Sequence, residues 1–144
     1  DAAALKQPRQ AKPAEKKHLT PLNILLAEDH EQNRMLIQSF LKKTPYKLDT
    51  AEDGKIAVKK FKAHKYDLVL MDIDMPVMDG YTATKEIRKY ETQNKKDETP
   101  IIVLSAHALT EHRQKSLEVG CNAHLAKPIK KEDLLAAIQK HQTR

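Results

Sequence analysis

The sequence predicts an α/β fold with a doubly wound, flavodoxin-like (βα)5 parallel sheet, its five strands in the order 2-1-3-4-5. From Asn23 onward, short apolar runs alternate with longer stretches of helical spacing, which is typical of βαβ units. Most of these runs are continuous, as expected for strands buried on both faces. Right-handed crossovers between parallel strands then place helices on both sides of the sheet.

Each predicted strand corresponds to one segment of the sequence. A segment with a more alternating pattern, Lys47–Ala51, is predicted to lie at an edge of the sheet because only one of its faces needs to be buried. The continuous apolar runs predict the other four strands, at 24–27, 68–71, 101–104 and 123–126.

Apolar side chains at helical spacing predict the helices between the strands. The second and third helices are preceded by Asp53-Gly54 and Asp79-Gly80, and the weakest pattern belongs to a fourth helix over 109–119. The first, second, third and fifth helices are predicted from four sets of apolar residues: Met35, Leu36, Phe40 and Leu41; Ile56, Ala57 and Phe61; Ala83, Ile87 and Tyr90; and Leu134, Leu135 and Ile138.

The first 22 residues differ in composition from the rest of the chain. They contain three prolines and no sustained apolar period, so we expect a flexible linker or tail over 1–22 and one folded domain over 23–144. The chain begins with Asp1, and we therefore expect it to be part of a longer protein.

Charge and composition exclude several classes of protein. Residues 1–22 hold five basic and two acidic side chains, which is +3 of the net +6, so half the excess charge lies in the tail. With 4% aromatic residues the domain lacks a stacking surface for single strands, and we expect no direct binding to nucleic acid. Its apolar runs are too short to cross a membrane, so we expect no membrane contact. The single cysteine, Cys121, fits a cytoplasmic location.

Polar residues follow the predicted strands at the edge where such a sheet binds its ligands. Three carboxylates meeting there would repel one another unless a hard cation or a shared proton offset their charge, and oxygen-only ligands suit Mg²⁺. The cation and a lysine could together neutralise a phosphoryl group while a carboxylate attacks it. The residues in question are Glu28, Asp29, Asp72, Ser105 and Lys127.

Several motifs in a fixed order resemble the receiver domains of response regulators in two-component signalling, most closely those of hybrid sensor histidine kinases. The similarity extends from Asn23 to about His141. The motifs are Leu25-Leu26-Ala27-Glu28-Asp29, the stretch from Asp72 to Gly80 (DIDMPVMDG), Ser105-Ala106-His107-Ala108 and Lys127-Pro128-Ile129.

The resemblance implies a role for each acidic residue. Asp72 would be phosphorylated, and Asp29 and Asp72 would bind Mg²⁺ (or Mn²⁺) directly. The backbone carbonyl of Asp74 would supply a further ligand, and Glu28 would act through water bound to the metal.

The same resemblance implies roles beyond the acids. Ser105 would move toward the phosphoryl group, Lys127 would pair with it, and the bond before Pro128 would be cis. One position departs from the family pattern, since His124 stands where receivers usually carry Tyr or Phe. We therefore do not carry over the aromatic switch of the family.

The function implied is a phosphoacceptor that takes its phosphoryl group from the phosphohistidine of a histidine kinase or histidine phosphotransfer domain. Transfer and dephosphorylation would be self-catalysed, and the new acyl phosphate would switch partner interactions. We favour a domain of a cytoplasmic or membrane-anchored hybrid histidine kinase over a single-domain regulator, and we leave a weak homodimer open.

Three other functions were weighed against this one. A haloacid-dehalogenase-like phosphatase would use the DxD spacing of Asp72-Ile73-Asp74, but it needs a later acidic motif, and here only Glu132-Asp133 follows on a predicted helix. A DNA-binding regulator would need an output module for which no residues remain after His141. A histidine phosphotransfer module would be all-helical, which conflicts with the apolar strands.

Overall fold

The computed structural model describes residues 19–106 and 110–142, in which five strands alternate with five helices. The strands are β1 (Asn23–Ala27), β2 (Lys47–Ala51), β3 (Leu68–Asp72), β4 (Ile101–Ser105) and β5 (Ala123–Ala126). The helices are α1 (Glu31–Leu41), α2 (Gly54–Ala63), α3 (Gly80–Gln93), α4 (Thr110–Val119) and α5 (Lys131–His141).

All strands pair in parallel in the order β2-β1-β3-β4-β5, so the predicted topology is confirmed. The predicted edge strand Lys47–Ala51 is β2 and lies at one edge. Every other predicted strand is present to within one residue at each end. Because β1 and β3 are neighbouring strands inside the sheet, the residues that follow them lie close together at the carboxyl ends of the strands.

Two apolar cores, one on each face, bury the sheet. Alternate residues of β1 divide between them, since side chains point to opposite faces of a strand. Leu25 belongs to the core formed with α2 and α3, while Ile24 belongs to the core formed with α1 and α5. Strands β3 and β4 are buried along their whole length.

Helix α1 forms where it was predicted, but its buried face differs from the expected one. Ile37 and Leu41, one turn apart, face the sheet, whereas Met35 and Leu36 are largely exposed. A run of apolar residues along a helix shows that a face is apolar without fixing the rotation of the helix about its axis.

The first described residues lie next to the sheet. The predicted tail covers 1–22, of which residues 1–18 lie outside the described residues. Leu22 is buried, and its carbonyl accepts a hydrogen bond from Lys47 N. The division into tail and domain stays a prediction. Among the described residues, none of the helices has the length and apolar character required to span a bilayer.

Helices α2 and α3 each begin at an Asp-Gly pair, in which the aspartate caps the helix and the glycine allows close packing. Asp53 and Asp79 are N-caps whose side chains accept hydrogen bonds from Ile56 N and Thr82 N. The glycine Gly80 is required by space, since a Cβ built on it would overlap the carbonyl oxygen of Asp72. The start of α3 therefore packs directly on the end of β3.

Replacing Gly80 with alanine should therefore destabilise the protein. A methyl group forced against backbone cannot be accommodated by a change of rotamer, so we expect Gly80→Ala to lower the free energy of unfolding by about 1–3 kcal/mol. Chemical denaturation measures this loss. Thr82→Ala, at an exposed position of the same helix, should change stability by less than about 0.5 kcal/mol. Equal stabilities for the two variants would contradict the packing argument.

Candidate phosphoacceptor site

The site is built around the last residue of β3. Asp72 is only 1% exposed, although it ends a strand, because β1 and β4 flank it and α3 covers it. The next residue is held in place as well, since Ile73 N donates to Leu104 O and Ile73 O accepts from Gly80 N. The chain therefore fixes the backbone of Asp72 on both sides.

The acidic pair follows β1. Glu28 continues the β1–β2 ladder through a hydrogen bond from its backbone N–H to Ala51 O, and its side chain is completely buried. One carboxylate oxygen, Oε2, accepts a hydrogen bond from His30 N at 3.0 Å. Asp29 is half-buried, and its Oδ1 lies 3.1 Å from His30 Nδ1. The imidazole of His30 therefore borders the site.

Lys127 connects the ends of four strands. It directly follows β5, and its backbone N–H donates to Ser105 O at the end of β4. Its ammonium Nζ lies 3.0 Å from Asp72 Oδ1 and 3.2 Å from Glu28 Oε1. The cation thus sits between carboxylates from β1 and β3, which the predicted topology required.

Two further predicted residues take up different positions. Ser105 is the last residue of β4 and is 1% exposed, beside the strand that carries Asp72. Asp74 lies in the bend after β3 with an exposed side chain. Its predicted role as a ligand used only the backbone carbonyl, so an outward side chain is compatible with that role. The peptide bond between Lys127 and Pro128 is cis, and this prediction is confirmed.

Burial and mutual repulsion set the charge state of the site. Burial raises the pKa of Asp72 to about 6; Glu28 and Asp29 act in the same direction, and Lys127 opposes them. Burial would also raise the pKa of Glu28, but the hydrogen bond from His30 and the charge of Lys127 outweigh it, and the pKa is lowered. The pKa of Lys127 is raised, because its two carboxylate partners outweigh its burial.

The carboxylate oxygens at this site fit a hard divalent cation. Neither oxygen of Asp72, nor Oδ1 of Asp29, accepts a hydrogen bond from the residues that the structure describes, although all three atoms are buried. Asp72 Oδ1 has the ammonium of Lys127 at 3.0 Å and Asp29 Oδ1 has Nδ1 of His30 at 3.1 Å, whereas Asp72 Oδ2 has no partner among the described residues. Buried polar atoms usually have a partner, and Mg²⁺ takes oxygen ligands.

Two cavities lie at the amino ends of the strands, away from the acidic site. Their volumes are about 320 Å³ and about 820 Å³, and they share the lining residues His64, Lys65 and Tyr66. Asp72 lies at the opposite edge of the sheet and lines neither of them.

Sequence reasoning missed one contributor to the site. Arg34, in the second turn of α1, donates from Nη1 to Glu28 O at 2.8 Å and to Asp29 O at 3.0 Å. Arg34 follows Asp29 by five residues, across a short loop and the start of a helix, and this short spacing could have indicated the contact. Of the remaining residues singled out, His124 is half-buried on β5 opposite Val103, and His107 lies outside the described residues.

Comparison with known proteins agrees with this geometry. Residues 24–139 match the response regulator receiver domain family. The chain is 40% identical over 119 residues to hybrid signal transduction histidine kinase M of Dictyostelium discoideum, covering 81% of this chain and 5% of the relative. It is 43% identical over 110 residues to the peroxide stress-activated histidine kinase mak1 of Schizosaccharomyces pombe, covering 74% and 7%. The chain thus spans a small part of each relative.

Solved structures give the same result. The receiver domain of the sensor histidine kinase PA1611 from Pseudomonas aeruginosa, which has a magnesium ion coordinated in its active-site cleft, is 38% identical with a TM-score of 0.75, covering 85% of this chain and 98% of that one. The receiver domain of Saccharomyces cerevisiae Ssk1, co-crystallised with the histidine phosphotransfer protein Ypd1, is 31% identical with a TM-score of 0.80, covering 86% and 90%. These similarities lend no support to the phosphatase alternative.

The raised pKa of Asp72 predicts how a neutral side chain changes stability. The pKa of Asp72 rises from 3.8 to about 6 on folding, so ionisation of Asp72 destabilises the folded state. The full loss of stability is present above about pH 6, and none of it is present below about pH 4. In the metal-free chain, Asp72→Asn should therefore stabilise the fold at pH 8, by an amount on the order of 1–2 kcal/mol. Denaturant unfolding in EDTA at pH 8 and pH 4 measures the difference.

The matched control for this experiment is Asp74→Asn, because Asp74 is an exposed carboxylate two residues away. It should show no comparable gain at pH 8. A loss of stability at pH 8 in Asp72→Asn would mean that the pairing of Asp72 with Lys127 outweighs the cost of burying its charge, contrary to the raised pKa.

Proposed function

Because the chain belongs to the response regulator receiver domain family, we propose that Asp72 is the residue that accepts the phosphoryl group in a two-component phosphorelay. One observation carries the assignment. Asp72 ends the central strand β3 with 1% exposure, and its buried Oδ2 has no hydrogen-bond partner among the described residues. Glu28 is equally buried, but Lys127 and His30 engage both of its oxygens.

The transfer exchanges one bond to phosphorus for another. An oxygen of Asp72 attacks the phosphorus of a phosphohistidine as the bond from phosphorus to the imidazole nitrogen breaks, and the donor imidazole keeps the electron pair and takes up a proton. Asp72 becomes an acyl phosphate. Later attack by water on phosphorus releases inorganic phosphate and restores the carboxylate. Each step is a displacement in which positioning and charge neutralisation provide most of the catalysis.

Residues of the chain hold the cation that such a displacement needs. Asp29 and Asp72 would bind Mg²⁺ through carboxylate oxygens and Asp74 through its backbone carbonyl, and Mn²⁺ would suit the same ligands. A magnesium ion is coordinated in the active-site cleft of the similar PA1611 receiver, which supports this assignment. When bound, the cation would neutralise charge that develops on the phosphoryl oxygens.

Lys127 and Ser105 would act on the phosphoryl group from the other side. Phosphorylation removes the negative charge from the attacking oxygen of Asp72, so the ammonium of Lys127 would turn to a phosphoryl oxygen. The hydroxyl of Ser105, at the adjacent strand end, would donate a hydrogen bond to another oxygen. These changes at the ends of β4 and β5 would carry the signal to the surface and bias an inactive–active equilibrium.

The relatives support a proposal for the donor and for the parent chain. The relatives described above are histidine kinases of which this chain covers a small part, and a similar receiver was co-crystallised with a histidine phosphotransfer protein. We therefore place the chain in a hybrid histidine kinase, with its donor either the kinase itself or a histidine phosphotransfer domain. A cytoplasmic location agrees with the single, buried, unbridged Cys121.

Labelling by acetyl phosphate in the presence of Mg²⁺ tests the phosphoacceptor. Wild type should gain the mass of one phosphoryl group, and Asp72→Asn should gain none because it lacks the nucleophile. Asp74→Asn keeps its backbone carbonyl and should be labelled at a rate within about threefold of wild type. Intact-mass spectrometry measures all three. Persistent labelling of Asp72→Asn would reject the assignment, and rapid repeated release of phosphate would favour a phosphatase.

The positive charge of Lys127 should favour phosphoryl transfer and oppose Mg²⁺ binding, which gives a second prediction. Lys127→Met should slow labelling by about 10²-fold or more, since a group that neutralises the transition state is lost. The same change should tighten Mg²⁺ binding by about fivefold, because it removes a cation next to the metal ligands. Calorimetric titration with Mg²⁺ gives the second quantity. Weaker Mg²⁺ binding in the folded variant would show that Lys127 instead holds the ligands in place.

A further inference from the structure

Arg34 contacts the backbone carbonyls of the acidic turn. Its Nη1 donates to two successive backbone carbonyls, those of Glu28 and Asp29, and its side chain is only 15% exposed. The backbone N–H of Arg34 also donates to His30 O, the first hydrogen bond of α1. One residue thus connects the turn to the helix through both its main chain and its side chain.

The acidic turn is also held by two hydrogen bonds, from Glu28 N to Ala51 O and from His30 N to Glu28 Oε2, neither of which involves the carbonyls of Glu28 or Asp29. It joins β1 to α1 through Glu28, Asp29 and His30, and the N-cap residue of α1, His30, makes no side-chain capping hydrogen bond. Two carbonyls fixed by one planar guanidinium cannot rotate independently. The peptide units that carry the Glu28 and Asp29 side chains are therefore held in one orientation.

Arg34 and Lys127 are cations with separate tasks. Lys127 touches the carboxylates of Glu28 and Asp72, where the chemistry occurs. Arg34 touches only carbonyl oxygens of the turn, and its outer nitrogen Nη2 lies 3.8 Å from Oε2 of the exposed Glu52. A positive charge near a cation site weakens cation binding through space, so a benefit from Arg34 must come through geometry.

We propose that Arg34 is a positioning residue that sets the affinity of the site for Mg²⁺ by fixing the backbone of Glu28 and Asp29. The inference rests on the proposed function, because it requires a divalent cation bound by Asp29 and Asp72. Arg34 acts through the turn and touches neither the cation nor the phosphoryl group. Groups that orient metal ligands from behind commonly contribute 10- to 100-fold to affinity.

The sign of the effect separates positioning from charge. In Arg34→Met the charge disappears and both hydrogen bonds are lost, so electrostatics alone would tighten Mg²⁺ binding, whereas loss of positioning weakens it. We expect about tenfold weaker binding. Arg34→Lys keeps the charge without the planar fork and should fall between wild type and Arg34→Met. Glu52→Gln removes only the outer contact and should change affinity by less than about twofold.

Calorimetric titration of the unphosphorylated chain with Mg²⁺ measures these affinities, and thermal denaturation in EDTA measures stability in parallel. Amide NMR shifts of Asp29 and His30 should move between wild type and Arg34→Met before any metal is added, because their peptide units are released. If Arg34→Met does not fold, Arg34→Lys carries the test, with binding weakened by at least about threefold.

The outcomes separate this inference from the proposed function. Mg²⁺ binding that is unchanged or tighter in both folded Arg34 variants would overturn the positioning role, even if their melting temperatures fall. A similar weakening in Glu52→Gln would overturn it too, since the outer ion pair would then carry the effect. A wild-type chain that binds no Mg²⁺ would instead remove the metal site on which both proposals rest.

Discussion

The ammonium of Lys127 between Glu28 and Asp72 is the contact on which the rest of the site depends. Two carboxylates, buried to 0% and 1% exposure, would not both stay ionised without a cation beside them. The hydrogen bond from His30 N and the charge of Lys127 keep Glu28 ionised, and Lys127 limits the rise in the pKa of Asp72. The site therefore holds carboxylate oxygens that can bind a metal ion.

The sheet makes this contact possible by bringing distant strand ends together. Glu28 and Lys127 are 99 residues apart in the chain, and the strand order β2-β1-β3-β4-β5 brings them to one edge. An apolar core on each face fixes the strands, and the close approach of Gly80 to the carbonyl of Asp72 fixes α3 against β3. The stability of the fold is thereby used to hold a destabilising cluster of acids.

Two cations contact the acidic turn through different groups. Lys127 pairs with the carboxylate of Glu28, and Arg34 donates hydrogen bonds to the carbonyls of Glu28 and Asp29. The charge of the carboxylates and the geometry of the turn therefore depend on different side chains.

The sequence by itself determined the strand order, the edge position of β2 and the strand ends that carry Asp72, Ser105 and Lys127. Apolar periodicity locates the strands and their ends, because it depends on which segments are buried, and right-handed crossovers favour an open parallel sheet. The match of several motifs in order added the family.

Only the tertiary structure decided how individual groups meet. It showed that Lys127 and His30 engage the two oxygens of Glu28, that Arg34 holds the turn, and that Ile37 rather than Met35 faces the core. These contacts depend on the rotation of a helix and on side-chain reach across the sheet. Periodicity along the chain specifies neither, because distances between groups far apart in sequence arise only once the whole sheet is assembled.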